Sequence, residues 1–281
     1  MSYSTRFDLA FGDLADLSQH LLLVQLSDDA IQLLATDQQR QPLMYQFVQI
    51  QADEADRGQV VADWLSQHAG WLQQWGRVFV AHQTMQATIV PAQLFNVDNG
   101  KELIDLQFGD LFRGTILTEQ VPGRQDYTVY RIPSELFANI SAAHPSIVHR
   151  HVFSLWISWL DKLPVDASGQ VYLLFETNRV FMAIRREDWL LIQQYEFQAP
   201  EDISYYLLAS LHEFELSPET VKVYVDGWID TQSAVYQEMF KYIRFLETAS
   251  LPEGIRLDER HLQGQPLHFF TPLIQMAQCV S

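Results

Sequence analysis

The sequence predicts an α/β protein in which one element order occurs twice. Three observations carry this. Apolar segments of strand length cluster at 21–50 and again at 171–195, each cluster broken twice by turn residues. A segment with helical spacing of apolar residues follows each cluster, and a further strand follows each helix. Leu21 and Val171 head the two copies about 150 positions apart, the scale of a duplicated domain rather than of a solenoid repeat. The copies share little identity, so the duplication rests on element order.

In the first copy Leu21–Leu26 is apolar enough for a buried strand, and Ser27-Asp28-Asp29 supplies turn residues. Ala30–Ala35 returns as a second strand, Gln38–Pro42 breaks the chain again, and Leu43–Ile50 alternates as a third. A helix is expected over Gln59–Trp75, where Val61, Trp64, His68, Trp71 and Trp75 form one broad face, with Gly76 as its C-cap. Arg77–His82 is the closing strand. Ala87–Phe95 then reads as extended with a turn at Pro91, and Thr115–Pro133 as a hairpin around Pro122-Gly123-Arg124. Ser134–Ala143 reads as a helix capped by Ser134. Ser146–His151 is extended, and Val152–Leu163 is a helix with Phe153, Trp156, Leu160 and Leu163 inward and Ser154, Ser158 and Asp161 outward. Lys162–Gly169, with Pro164 and Gly169, is the candidate hinge.

In the second copy Val171–Phe175, Val180–Ile184 and Trp189–Tyr195 are strands, separated by Glu176–Arg179 and Arg185–Asp188. Pro200 suits the first turn of a helix whose core face is Ile203, Tyr206, Leu207, Ser210, Leu211 and Phe214. Thr220–Val225 closes the copy. Asp230–Glu247 is expected as a helix, Pro266–Phe270 as a last strand and Thr271–Cys279 as a last helix.

Composition bounds the function. The net charge of −17 repels phosphate backbones and anionic lipids, and no long Lys/Arg cluster offsets it, which argues against nucleic-acid binding. No apolar stretch reaches the roughly 18 residues a membrane helix needs, and Met1–Leu9 does not read as a signal peptide. The single cysteine, Cys279, leaves no disulfide framework and fits a cytoplasmic location.

Two halves, each a three-stranded meander followed by helix, strand, helix, strand and helix, resemble the actin-like ATPase superfamily, whose members pair two ribonuclease H-like domains. The added hairpin and helix near Leu117–Ala143 are similar to the subdomain inserted in the pilus-assembly and cell-division branch. The pattern is most similar to a bacterial domain-of-unknown-function family of similar length with an actin-like fold. The resemblance covers about Leu21 to Val280. It implies mixed sheets and a central cleft between a first half at 1–166, carrying the insertion at 115–143, and a second half at 167–281.

In active members of that superfamily nucleotide lies between the halves. Each meander turn offers an acid that holds metal-bound water and glycines that let backbone N–H groups reach phosphate. The resemblance therefore points to Ser27, Asp28 and Asp29 in the first half and to Glu176, Thr177 and Asn178 in the second. Asp226 and Gly227 stand where the family places an adenosine-contacting Gly-Gly pair. The match is eroded. The first turn has no glycine, Asn178 replaces glycine in the second, and bulky Trp228 follows a single Gly227. No Walker loop, Rossmann glycine fingerprint or zinc-type cysteine pair is present.

The preferred expectation is a non-catalytic interaction or scaffold protein with no cofactor. The alternative is a divergent enzyme binding ATP with magnesium, or another phosphometabolite, through Glu176 or Asp28, with Thr177, Asn178 and Gly227 on the ligand. A protein partner or a homo-oligomer is a further expectation. Asp28 and Asp29 with Glu176 could hold magnesium, though adjacent aspartates are also ordinary turn chemistry, which is preferred. His149 and His151, two apart on a strand, share a face, and with His144 nearby a metal site is conceivable; surface or half-buried histidines are the preferred reading. Trp64, Trp71 and Trp75 read as core, as does Cys279.

Overall fold

A computed structural model describes residues 3–111, 113–144 and 146–280. The chain divides into two compact units. The first comprises 1–161 with 254–261 and 273–281, and the second comprises 162–253 with 262–272.

The first unit contains β1 (Tyr3–Ala10), β2 (Leu21–Leu26), β3 (Ala30–Thr36), β4 (Pro42–Ile50), α1 (Glu54–Leu72), β5 (Arg77–His82), β6 (Ala87–Val90), α2 (Gly100–Phe108), β7 (Thr115–Gln120), β8 (Tyr127–Ile132), α3 (Ser134–Ala143), β9 (Val148–His151) and α4 (Val152–Leu160). Its main sheet has the order β1-β4-β3-β2-β5-β9, antiparallel through the meander and parallel from β2 onward. Every residue of β2 and β3 is buried, as expected of central strands covered on both faces. Leu22, Val24 and Leu26 of β2 share a core with Val61, Trp64, Leu65 and Leu72 of α1, Trp75, and Ile140 and Ala143 of α3. The insertion is a separate sheet, β6-β8-β7, packed on α2 through Val90, Ile104 and Val129.

The second unit contains β10 (Gln170–Phe175), β11 (Arg179–Arg185), β12 (Trp189–Glu196), α5 (Pro200–Glu213), β13 (Lys222–Gly227), α6 (Ala234–Phe240) and β14 (Phe245–Thr248). Its sheet order, β12-β11-β10-β13-β14, repeats β4-β3-β2-β5-β9 with the same antiparallel and parallel pairings. Val171, Leu173 and Phe175 pack with Ile203, Leu207 and Leu211 of α5 and with Met239. Pro200 opens α5, and the Asp202 carboxylate accepts the N–H groups of Gln198 at 2.9 Å and Ala199 at 3.0 Å. The last helix, α7, spans Thr271–Ala277.

Several expectations change. Helix α1 starts earlier than Gln59 and ends at Leu72. Gly76 is not its cap. A Cβ there would meet the Ser18 carbonyl oxygen at 2.0 Å, so glycine is required by a close chain crossing. Ser134 is the first residue of α3 and makes no capping bond; its hydroxyl accepts from Thr115 at 3.0 Å. All nine residues of α4 are buried, Ser154 and Ser158 included. Asp230–Glu247 is not one helix but α6, a turn and the parallel strand β14. Of the expected core face Val235, Met239, Tyr242, Ile243 and Leu246, three residues (Met239, Ile243 and Leu246) are buried, Val235 is half-buried and Tyr242 is exposed, because the pairing with β13 overrides the helical period. Leu267–Phe269 is a 3₁₀ turn, not a strand. Strand β1 and helix α2 are elements beyond those the sequence pattern predicts.

Candidate functional site

In open α/β sheets ligands gather at the carboxyl ends of parallel strands. Each unit has one such edge. In the first, β2 and β5 run parallel with Leu26 beside His82; in the second, β10 and β13 run parallel with Phe175 beside Gly227. The two edges share one hydrogen-bond plan. Ser27 N–H donates to Ala30 O at 3.0 Å, and Glu176 N–H to Arg179 O at 2.9 Å. Ile50 N–H reaches Asp29 O at 2.8 Å, and Phe197 N–H reaches Asn178 O at 3.1 Å. Gln83 N–H reaches Leu26 O at 2.9 Å, and Trp228 N–H reaches Phe175 O at 2.8 Å. Ser27, Asp28 and Asp29 therefore correspond to Glu176, Thr177 and Asn178, and Ala81-His82 corresponds to Asp226-Gly227. The strand-end acid and the glycine both belong to the second unit alone.

The first turn satisfies itself. The Ser27 hydroxyl donates to the Asp29 carboxylate at 2.9 Å and accepts the Ala30 N–H at 3.0 Å. The Gln49 amide donates to Asp29 O at 2.9 Å. Asp28 is exposed at the tip. In the second turn Glu176 is buried, while Thr177 and Asn178 are exposed.

Gly227 has φ +80°, and a Cβ there would meet the Phe175 carbonyl oxygen at 2.3 Å. The glycine is demanded by the close pass of β13 against the end of β10. Its N–H donates to the Asp226 carboxyl at 3.1 Å, Trp228 N–H goes to Phe175 O, and Ile229 N–H goes to Gly227 O at 2.9 Å. Three successive N–H groups are thus bonded internally. The Trp228 ring packs on Phe269, centroids 5.0 Å apart. Asp226 is buried on the sheet face opposite Val223 and Val225, and burial pushes its carboxyl well above the usual carboxylate range.

The histidines regroup. His149 and His151 do share a face of β9, but their neighbour is His82 of β5, not His144. His82 Nε2 lies 2.8 Å from His149 Nδ1, with the rings stacked. His151 caps α4, its Nδ1 accepting the Phe153 N–H at 3.0 Å. Burial lowers all three, His151 to about 3, so all three are neutral near pH 7. His144 Nδ1 instead accepts the Ser146 N–H at 3.3 Å. Among the described residues no three His, Cys, Asp or Glu side chains gather to hold a metal ion. Trp64 and Trp75 are core residues, and Cys279 is buried. Sequence reading missed Gln25 and Gln83, whose buried amides bond at 2.8 Å at the first edge; two isolated glutamines carry no local signal.

The model of the family described as protein of unknown function (DUF3822) matches residues 12–246. The chain belongs to the DUF3822 family. This DUF3822 chain is similar to a Bacteroides thetaiotaomicron protein described as having an actin-like ATPase fold and unknown function. The two share 15% identity at a TM-score of 0.75, over 91% of this chain and 100% of that one. It is also similar to the structure of a PilM–PilN type IV pilus biogenesis complex, at 12% identity and a TM-score of 0.59, over 92% of this chain and 96% of that one. These likenesses establish the actin-like ATPase fold of the DUF3822 chain. No curated protein sequence matches it. No helix among the described residues is long and apolar enough to cross a membrane.

Proposed function

We propose that this protein is a non-catalytic interaction protein on an actin-like frame. The observation that carries the reading is the closed segment Asp226–Ile229. Backbone N–H groups that would have to face a ligand are bonded to Asp226, Phe175 and Gly227 instead. Ser27 closes the first turn in the same way, with its own hydroxyl on the Ala30 N–H. A phosphate would have to break these bonds before gaining any, and the net charge of −17 opposes its approach. The pilus biogenesis complex among the similar structures supports a role in which such a frame is held by a protein partner. Calorimetry with ATP and magnesium tests the reading. The expected result is no saturable heat; micromolar affinity with measurable turnover would overturn it.

One observation favours a second reading, a divergent phosphometabolite-binding site in the second unit. Glu176 directly follows β10, the place of the superfamily's strand-end acid, with Thr177 and Asn178 exposed beside it. A Glu176→Gln variant that abolished a measured phosphometabolite affinity would favour this reading over the first.

A further inference from the structure

The hairpin β7–β8 is fastened to α4 at both ends of that helix. At the far end Arg124 of the hairpin turn bonds Asp161 at 3.1 Å and also pairs with Asp126. At the near end the attachment is built around one carboxyl. Glu119 of β7 is buried, and one of its oxygens accepts the N–H of His151, the α4 cap, at 2.5 Å. The other faces the Arg150 guanidinium at 3.3 Å. The Ser154 hydroxyl, on the first turn of α4, bonds Glu119 and lies 2.7 Å from the Thr128 hydroxyl of β8. Tyr130 of β8 also faces it, beside the neutral rings of His151 and His82. Arg150 is thus the one cation at this carboxyl among the described residues, and its side chain is partly exposed.

We propose that Glu119 is a proton-operated clasp fastening the inserted hairpin to the start of α4. When the carboxyl is protonated it donates to Ser154, and Ser154 donates to Thr128. When it is ionised Ser154 must donate to Glu119, the chain reverses, and a buried charge is left facing one half-screened cation. Burial raises this carboxyl to about 7 from its ordinary 4.5, although Ser154, the His151 N–H and Arg150 all pull the other way. The closed state therefore favours the proton. Its advantage is complete below pH 4.5 and declines as pH rises toward 7.

Amide hydrogen exchange of the full chain tests the clasp. With an open state titrating at the ordinary value, opening of the β7–β8 amides, corrected for intrinsic rates, should grow on the order of fortyfold between pH 5 and pH 7. Glu119→Gln should flatten that profile. A pH-independent wild type, or a Glu119→Gln variant that keeps the slope, overturns the proposal. Should that variant fail to fold, carbon-13 titration of the wild-type Glu119 carboxyl decides: a midpoint near 7 supports the clasp, and one below about 5 contradicts it. Ser154→Ala should move that midpoint upward, and an unmoved midpoint removes Ser154 from the chain.

Discussion

Gly227→Ala is the most informative single substitution. This glycine serves the packing of β13 against the end of β10. Three costs combine. An alanine at φ +80° pays about 1–2 kcal/mol for the left-handed region. Its Cβ would sit 2.3 Å from the Phe175 carbonyl oxygen, which belongs to the backbone of β10 and cannot swing aside as a flexible side chain would. Moving that oxygen weakens the Trp228 N–H bond it accepts, worth about 1 kcal/mol. The sum is about 2–4 kcal/mol. With a urea slope of about 1–3 kcal/mol/M for a unit of this size, the midpoint should fall by roughly 1–2 M. Urea titration followed by tryptophan fluorescence reads it, because Trp228 adjoins the site. Gly58→Ala is the control. Gly58 lies exposed in α1 with no atom within 4 Å of a Cβ, and the change should stabilise by about 0.5–1 kcal/mol. A Gly227→Ala midpoint equal to that of the parent would refute the packing account of this glycine.

Other consequences follow from the same contacts. Gly76→Ala places a Cβ 2.0 Å from the Ser18 carbonyl oxygen and should lower the first unit's stability by about 2 kcal/mol or more, read as an earlier thermal transition. Trp64→Ala empties the core under α1, where Trp64 is 1% exposed, at about 3–5 kcal/mol by urea unfolding. Asp226→Asn keeps an acceptor for the Gly227 N–H but removes an ionisable group whose folded form favours the proton. Wild-type stability should therefore fall as pH rises above the ordinary carboxylate value of 3.8, and the variant should lose that slope in melts from pH 4 to 8.

Much of the fold was legible because its signals are local. Ser27–Asp29 and Glu176–Arg179 are turn chemistry between apolar runs, and those runs became β2–β3 and β10–β11. Pro200 marked the start of α5 for the same reason. What escaped reading is set by distant contacts. Gly76 resembles a helix cap in sequence, but its cause is the Ser18 carbonyl, a contact no spacing reveals. At 230–247 Met239, Ile243 and Leu246 were legible as buried, but Tyr242 is exposed and the backbone is not one helix, because β14 forms only against β13. The candidate residues show the same division. The two turns could be found from sequence, and their one-to-one correspondence could nearly be read. The matching of Ala81-His82 with Asp226-Gly227 needed the strand registers. The burial of Asp226 and the spending of its neighbours' N–H groups needed side-chain positions.

The closed state of the Asp226–Ile229 segment is the centre of this account, and its backbone amides report on it directly. In a nitrogen-15 NMR titration with ATP and magnesium, the Gly227, Trp228, Ile229 and Ala30 amides should show no saturable shift. A saturable shift of these amides at micromolar nucleotide would contradict the account.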